Sequence, residues 1–260
     1  MTLIEDLSKS FAGKTVWITG AETLIGRTAA LMFLSGGARL LLSGISTFAG
    51  ASGENIICYE HNPTDEIHAA NALKLVEKLD ITIVANRYIR GGTLIDASHE
   101  EFDDIINQNL THAWCAARAT AGKIGKTRGG AIVFITSIHG EKPSASAPLF
   151  SVACGGINML VKEAAQDFGR LGIRVNQVRC GALEGDDELF KSEISDLYED
   201  FEERIPRQKP GSPQEVVKAA MFLSSEDASF VNGATLTADG GFLGFYVYGN
   251  SHERWDIGYV

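Results

Sequence analysis

A chain of 260 residues, 45% of them hydrophobic, can bury one sizeable core. Its formal net charge of −10 excludes non-specific attraction to nucleic acid or anionic lipid. No apolar run approaches the roughly 20 residues of a membrane-spanning helix, and Met1 to Lys14 lacks the cationic and apolar regions of a secretory signal, so a soluble, cytoplasmic protein forming one domain over 1–260 is expected.

In chain order, Thr15 to Thr19 is a β-type run that turns at Gly20 into Leu24 to Ser35, a helical pattern ending at Gly36-Gly37. Strand-like runs follow at Arg39 to Leu42, Asn55 to Tyr59 and Ile81 to Ala85, with a helix expected at Ile67 to Leu79. A long helix is expected from Glu100 to Gly122. A strand from Ala131 to Ile135 then leads to Ser137, and a helix is expected from Ala153 to Phe168. Ser212 and Pro213 open a further helix with a serine cap and a proline in the first turn.

Acidic residues crowd the stretch from Glu184 to Glu203, which reads as a solvated helix face with Leu189, Phe190, Ile194, Leu197 and Phe201 turned inward. The chain ends in an aromatic tail over 243–260 with Phe245, Tyr246, Tyr248, Trp255 and Tyr259, costly to leave in water. Cys58, Cys115, Cys154 and Cys180 show neither C-x-x-C spacing nor a histidine pattern suited to zinc. Reduced, mostly buried thiols and no metal are expected.

Four stretches carry a family resemblance: Thr19-Gly20-Ala21-Glu22-Thr23-Leu24-Ile25-Gly26, Ser137 with Phe150 and Cys154 beyond it, Gly172 to Val178, and Asn232 to Gly241. Together they resemble the short-chain dehydrogenases/reductases over about 10–242. The resemblance implies an α/β fold, a doubly wound, Rossmann-like and mostly parallel sheet with helices on both faces.

Family members keep a serine, a tyrosine thirteen positions on and a lysine four beyond that; the tyrosine passes a proton and the lysine lowers its pKa and holds the nicotinamide ribose. Ser137 fits this pattern, but Phe150 has no proton to give and Cys154 no ammonium. The glycine that would let the backbone approach a pyrophosphate is Leu24. Gly44 and Ile45 supply neither the acid that NAD users carry there nor the base that NADP users carry. Asn62 replaces an adenine-binding aspartate, Arg87 and Tyr88 stand where small residues leave room for the adenosine ribose, and Gly185 replaces a threonine that contacts the nicotinamide amide. Asn109 matches a helical asparagine that links the lysine to solvent, and here its remaining work is to satisfy backbone groups.

Residues that serve the fold, Gly20, Gly26, Asn176 and Asp239-Gly240-Gly241, are thus kept, while those that serve cofactor and proton transfer are lost. The resemblance implies a pseudoenzyme that binds no cofactor, the inactive subunit of a hetero-oligomer, expected to be a heterotetramer, whose intact paralogue carries NAD. It is similar in this to the inactive subunit of the hydroxyacyl-CoA-type dehydrogenase of anaerobic toluene breakdown. Partner contacts are expected through Asn107 to Gly122, through Phe150 to Phe168 with Ala153, Gly155, Gly156, Ile157, Leu160 and Val161 at the seam, and through the last helix and strand. The alternative is a non-redox enzyme using Ser137 and His139 with Cys154 or Cys180.

Overall fold

Val16, Trp17 and Ile18 in β1 (Thr15–Thr19) and Leu40, Leu41 and Leu42 in β2 (Arg39–Ser43) are apolar on both faces, the composition of strands covered by helices on two sides. A computed structural model describes residues 11–49, 54–124, 129–144, 146–185 and 205–244. These strands join β3 (Ile56–Tyr59), β4 (Ile81–Val84), β5 (Gly130–Ser137), β6 (Ile173–Cys180) and β7 (Thr235–Ala238) in one sheet of order β3-β2-β1-β4-β5-β6-β7. Every pairing is parallel. The expected doubly wound α/β sheet is therefore present, and its strand order reverses between β1 and β4, where such sheets open a ligand cleft.

One face of the sheet is covered by α1 (Leu24–Ser35) and α6 (Pro213–Ser224), the other by α2 (Glu66–Lys74), α4 (His112–Ile124) and α5 (Pro148–Gly169). Ser212 caps α6 in a reciprocal pair with Glu215, as its sequence announces. Helix α2 stops short of the expected Leu79 because Lys123 of α4 donates to the carbonyls of Leu73 and Val76, at 3.1 and 2.7 Å, closing the helix end. The long helix expected from Glu100 to Gly122 is present without interruption, as α3 (His99–Ile106) continuing through one wide π-turn (Asn107–Thr111) into α4. Helix α5 starts at Pro148 rather than Ala153, since proline suits a first turn, so Phe150 already lies on the helix.

The helical seam expected to meet a partner is partly spent within the chain. Ala153, Ile157 and Val161 are buried in its own core, and a methyl group on Gly156 would lie 2.7 Å from Leu110 Cδ2, so this glycine lets α5 approach the π-turn. The bulk of the acidic stretch, 186–204, and the aromatic tail, 245–260, lie outside the described residues. No helix among the described residues is long and apolar enough to cross a membrane.

Two buried polar side chains tie the sheet to its surroundings. His112 is fully buried with Nε2 2.8 Å from Thr19 Oγ1, and burial holds its pKa down to about 3, so a neutral imidazole joins α4 to the end of β1. Asn176 on β6 donates to the Val231 carbonyl and accepts from the Ala234 amide, at 2.8 and 2.9 Å, and fixes the approach to β7. Asn176→Ala leaves both half-buried backbone groups without this partner and is expected to cost about 1–3 kcal/mol. Urea denaturation measures this, and a change below about 0.5 kcal/mol contradicts the assignment.

Candidate functional site

The cleft begins at the β1–α1 turn, where two glycines are required sterically. A methyl group on Gly20, whose φ is +69°, would lie 2.6 Å from the Asn86 amide nitrogen, and one on Gly26 would collide with the Gly20 carbonyl oxygen. Thr23 caps α1: its Oγ1 accepts from the Gly26 amide at 3.0 Å and donates to the Gly20 carbonyl at 2.8 Å. One of the first-turn amides that such a helix start offers to a phosphate is therefore already bonded.

Leu24, the first residue of α1, leans across to the segment after β6. Gly185 receives it: a methyl group there would lie 2.8 Å from Leu24 Cδ2. Two separate departures from the family pattern are thus one contact, a leucine added at the helix start and a side chain removed opposite it.

At the end of β2, Gly44 has φ +96°, and any side chain on it would collide with the Glu22 carboxylate and lie 2.7 Å from Asn62 Nδ2. Asn62 accepts from the Gly20 amide at 2.9 Å and donates to Glu22 Oε1 at 2.7 Å. Glu22 keeps an exposed surface, yet protein packed around its carboxyl raises the pKa, against the lowering by hydrogen bonds from its own backbone and from Asn62. A carboxylate contributed by the glycine-rich turn therefore stands over Gly44. Its signal in the sequence is an acidic residue in that turn, which lies beside the end of β2. Ile45 supplies no charge and packs against the core.

The Tyr88 side chain is held against α3. The Tyr88 hydroxyl donates to Asp104 on α3 at 3.0 Å, and its ring packs beside the Ile105, Leu149 and Ala153 cluster. This orientation is set by the backbone of Tyr88, which Asn109 clamps from both sides: Asn109 accepts from its amide at 3.0 Å and donates to its carbonyl at 2.8 Å, and also to Ile105. Asn109 thus satisfies backbone groups, as expected. Burial dominates at both His139, whose pKa it lowers, and Cys154, whose pKa it raises, and the positive charge of Arg87 adds a smaller pull downward on each.

At that end Ser137 is buried and its Oγ accepts from the His139 backbone amide at 3.3 Å. The His139 ring instead lies 3.3 Å from the Lys142 carbonyl through Nδ1, and burial lowers its pKa. Phe150 and Cys154 join Ile89 and Ala147 in a small closed apolar cluster. Burial pushes the Cys154 thiol up to about 12, against the lowering by a Ser137 backbone hydrogen bond and by Arg87. Cys180 donates its thiol to the Thr136 carbonyl at 2.9 Å. Among the described residues no set of three or more His, Cys, Asp or Glu side chains is gathered to hold a metal ion.

A glycine-rich β1–α1 turn at the switch point of a seven-stranded parallel sheet, with a buried serine at the end of β5, is the frame of one family, and a family model described as enoyl-(acyl carrier protein) reductase matches residues 20–243. The chain belongs to the short-chain dehydrogenase/reductase family. It is 28% identical to a protein of Chlamydia trachomatis described as 3-oxoacyl-(acyl-carrier-protein) reductase FabG, over 90% of this chain and 99% of that one. It is 27% identical to a glucose 1-dehydrogenase of Gluconobacter oxydans, over 94% of this chain and 96% of that one. A crystal structure described as a putative gluconate dehydrogenase from Agrobacterium tumefaciens superposes with a TM-score of 0.84 at 25% identity, covering 92% of this chain and all of that one.

Within this family frame the arrangement offers no proton donor at position 150 and no thiolate at 154. Native protein at pH 8 is expected to leave Cys154 unmodified by iodoacetamide, with labelling only after denaturation, as read by peptide mass spectrometry. Labelling of native Cys154 at the rate of the unfolded chain contradicts its burial.

Proposed function

We propose that this chain is a catalytically inactive subunit, holding no nicotinamide cofactor, of a hetero-oligomeric NAD-dependent short-chain dehydrogenase. An intact paralogue carries NAD and the chemistry in a heterotetramer. The observation that carries this reading is the packing of Phe150 and Cys154 with Ile89 and Ala147: the place of a proton relay is taken by apolar core. Leu24 on Gly185 supports the absence of a dinucleotide, because a leucine side chain is added at the helix start where the family pattern keeps a glycine for the pyrophosphate.

The relatives named for 3-oxoacyl substrates support a hydroxyacyl thioester as the substrate class of the complex, the hydroxyacyl-CoA type. Apolar side chains left in solvent support the partner faces. Trp114 of α4 with Val152 and Met159 of α5 are 43%, 50% and 55% exposed, and Phe222 of α6 and Leu236 of β7 are exposed as well. An obligate interface on such faces buries more than about 2,000 Å². The alternative of a non-redox enzyme draws no support from the geometry, since the Ser137 hydroxyl meets the backbone and not the ring of His139.

Co-expression with the paralogue is expected to give a fixed stoichiometry and an activity unchanged by Ser137→Ala in this chain. Phe150→Tyr with Cys154→Lys is expected to give the isolated chain no turnover, because no hydride donor is held beside the restored pair. A stable monomer or homotetramer whose own activity is lost on Ser137→Ala contradicts the proposal.

A further inference from the structure

We infer that the groove at the amino ends of β1, β4, β5 and β6, at the opposite end of the sheet from the cleft, is a second binding site. It takes an apolar monocarboxylate, with the carboxylate on Arg174 and an aromatic body against Phe230. This goes beyond the inactive-subunit reading and does not depend on it.

The groove is open because its floor carries no side chains: Gly129 and Gly130 lead into β5, Gly169 ends α5 and Gly172 precedes β6. A methyl group on Gly130 would lie 2.6 Å from the Asp80 carbonyl oxygen, so the floor cannot be filled there without moving backbone. The space measures about 810 Å³, within the roughly 300–1,000 Å³ of small-molecule sites.

Charge selects the ligand. The groove is lined by the cations Lys14, Lys78 and Arg174 and the carboxylates Asp80 and Glu226. Asp80 is engaged by Lys78 at 2.7 Å and by the Thr15 amide at 2.9 Å, and Glu226 faces Lys14 at 3.9 Å. Arg174 is left over: its Nη1 and Nη2 donate to the carbonyls of Leu223 and Ser225, at 2.6 and 2.9 Å, and no carboxylate among the described residues pairs with it. Those carbonyls fix the plane of the guanidinium without cancelling its charge, and burial pulls its pKa down, against the distant Glu226 charge. One unbalanced positive charge is matched by one carboxylate, whereas a phosphate dianion overshoots it. The N–H groups that Arg174 keeps free suit the two oxygens of a carboxylate.

Phe230 sets the body of the ligand. Phe11 in the wall of the groove is buried, but Phe230 is fully exposed. An aromatic ring standing in water beside an unbalanced cation is covered best by another flat apolar group that brings the missing charge with it. Benzoate is the probe.

Amide NMR spectra of the full chain labelled with ¹⁵N-glycine are expected to show benzoate shifting Gly129, Gly130, Gly169 and Gly172, with Gly20, Gly26 and Gly44 of the cleft unmoved. The shifts are expected to saturate with a Kd of about 1 mM, the range open to so small a ligand. Phe230→Ala removes a side chain that touches nothing, so the fold is kept, and is expected to weaken binding about fivefold. Arg174→Lys keeps the charge and loses the fork, for about a tenfold loss. Should that variant loosen the end of α6, benzamide carries the charge test on the native chain: it has the shape without the charge and is expected to cause no shift. Shifts confined to the cleft glycines, no saturable shift at ten times the expected Kd, an equal response to benzamide, or binding indifferent to Phe230→Ala overturns the inference. Each of these leaves the inactive-subunit reading intact.

Discussion

Helix α1 meets the end of β1 so closely that a methyl group on Gly26 would collide with the Gly20 carbonyl. That approach forces the five residues between the glycines into one tight turn, capped by Thr23, and it decides where their side chains go. Glu22 is delivered over Gly44 and Leu24 toward Gly185. In a turn with less contact, neither side chain would have a fixed address.

The same frame is used differently at its two ends. Along the β1–α1 turn, polar groups are paired with care: Asn62 serves Gly20 and Glu22 at once. Around α5 the polar groups have gone inward or disappeared, with Phe150 buried and the Cys154 thiol far from ionisation. Burying a thiol among Ile89, Ala147 and Phe150 costs little, whereas a lysine there would need a partner for its charge. A core of this kind stabilises a shape and offers no proton. The proposed division of labour, shape here and chemistry in a partner, follows from that contrast.

Much of this was legible in the sequence. Short apolar runs locate β1 to β5 to within a residue or two at each end, because strands buried between helices are largely apolar, whereas β6 and β7, with Arg174, Asn176, Gln177 and Arg179 or two threonines, are placed by the family resemblance. The roles of Gly20, Gly26 and Asn176 follow from their types, since each answers a backbone demand. Tyr88 was not legible: its direction depends on Asn109 and Asp104, brought near by the π-turn that no periodicity announces. Nor was Glu22, because its partners Asn62 and Gly44 meet it only when β1, β2 and β3 are laid side by side. The pairing of Leu24 with Gly185 was visible as two separate losses, and only the fold makes them one contact.

Native mass spectrometry of the complex from its source, with cofactor retained, tests the division of labour most directly. One NAD for each paralogue chain and none for this chain is the predicted count. Nicotinamide dinucleotide bound in equal number to both chains contradicts it.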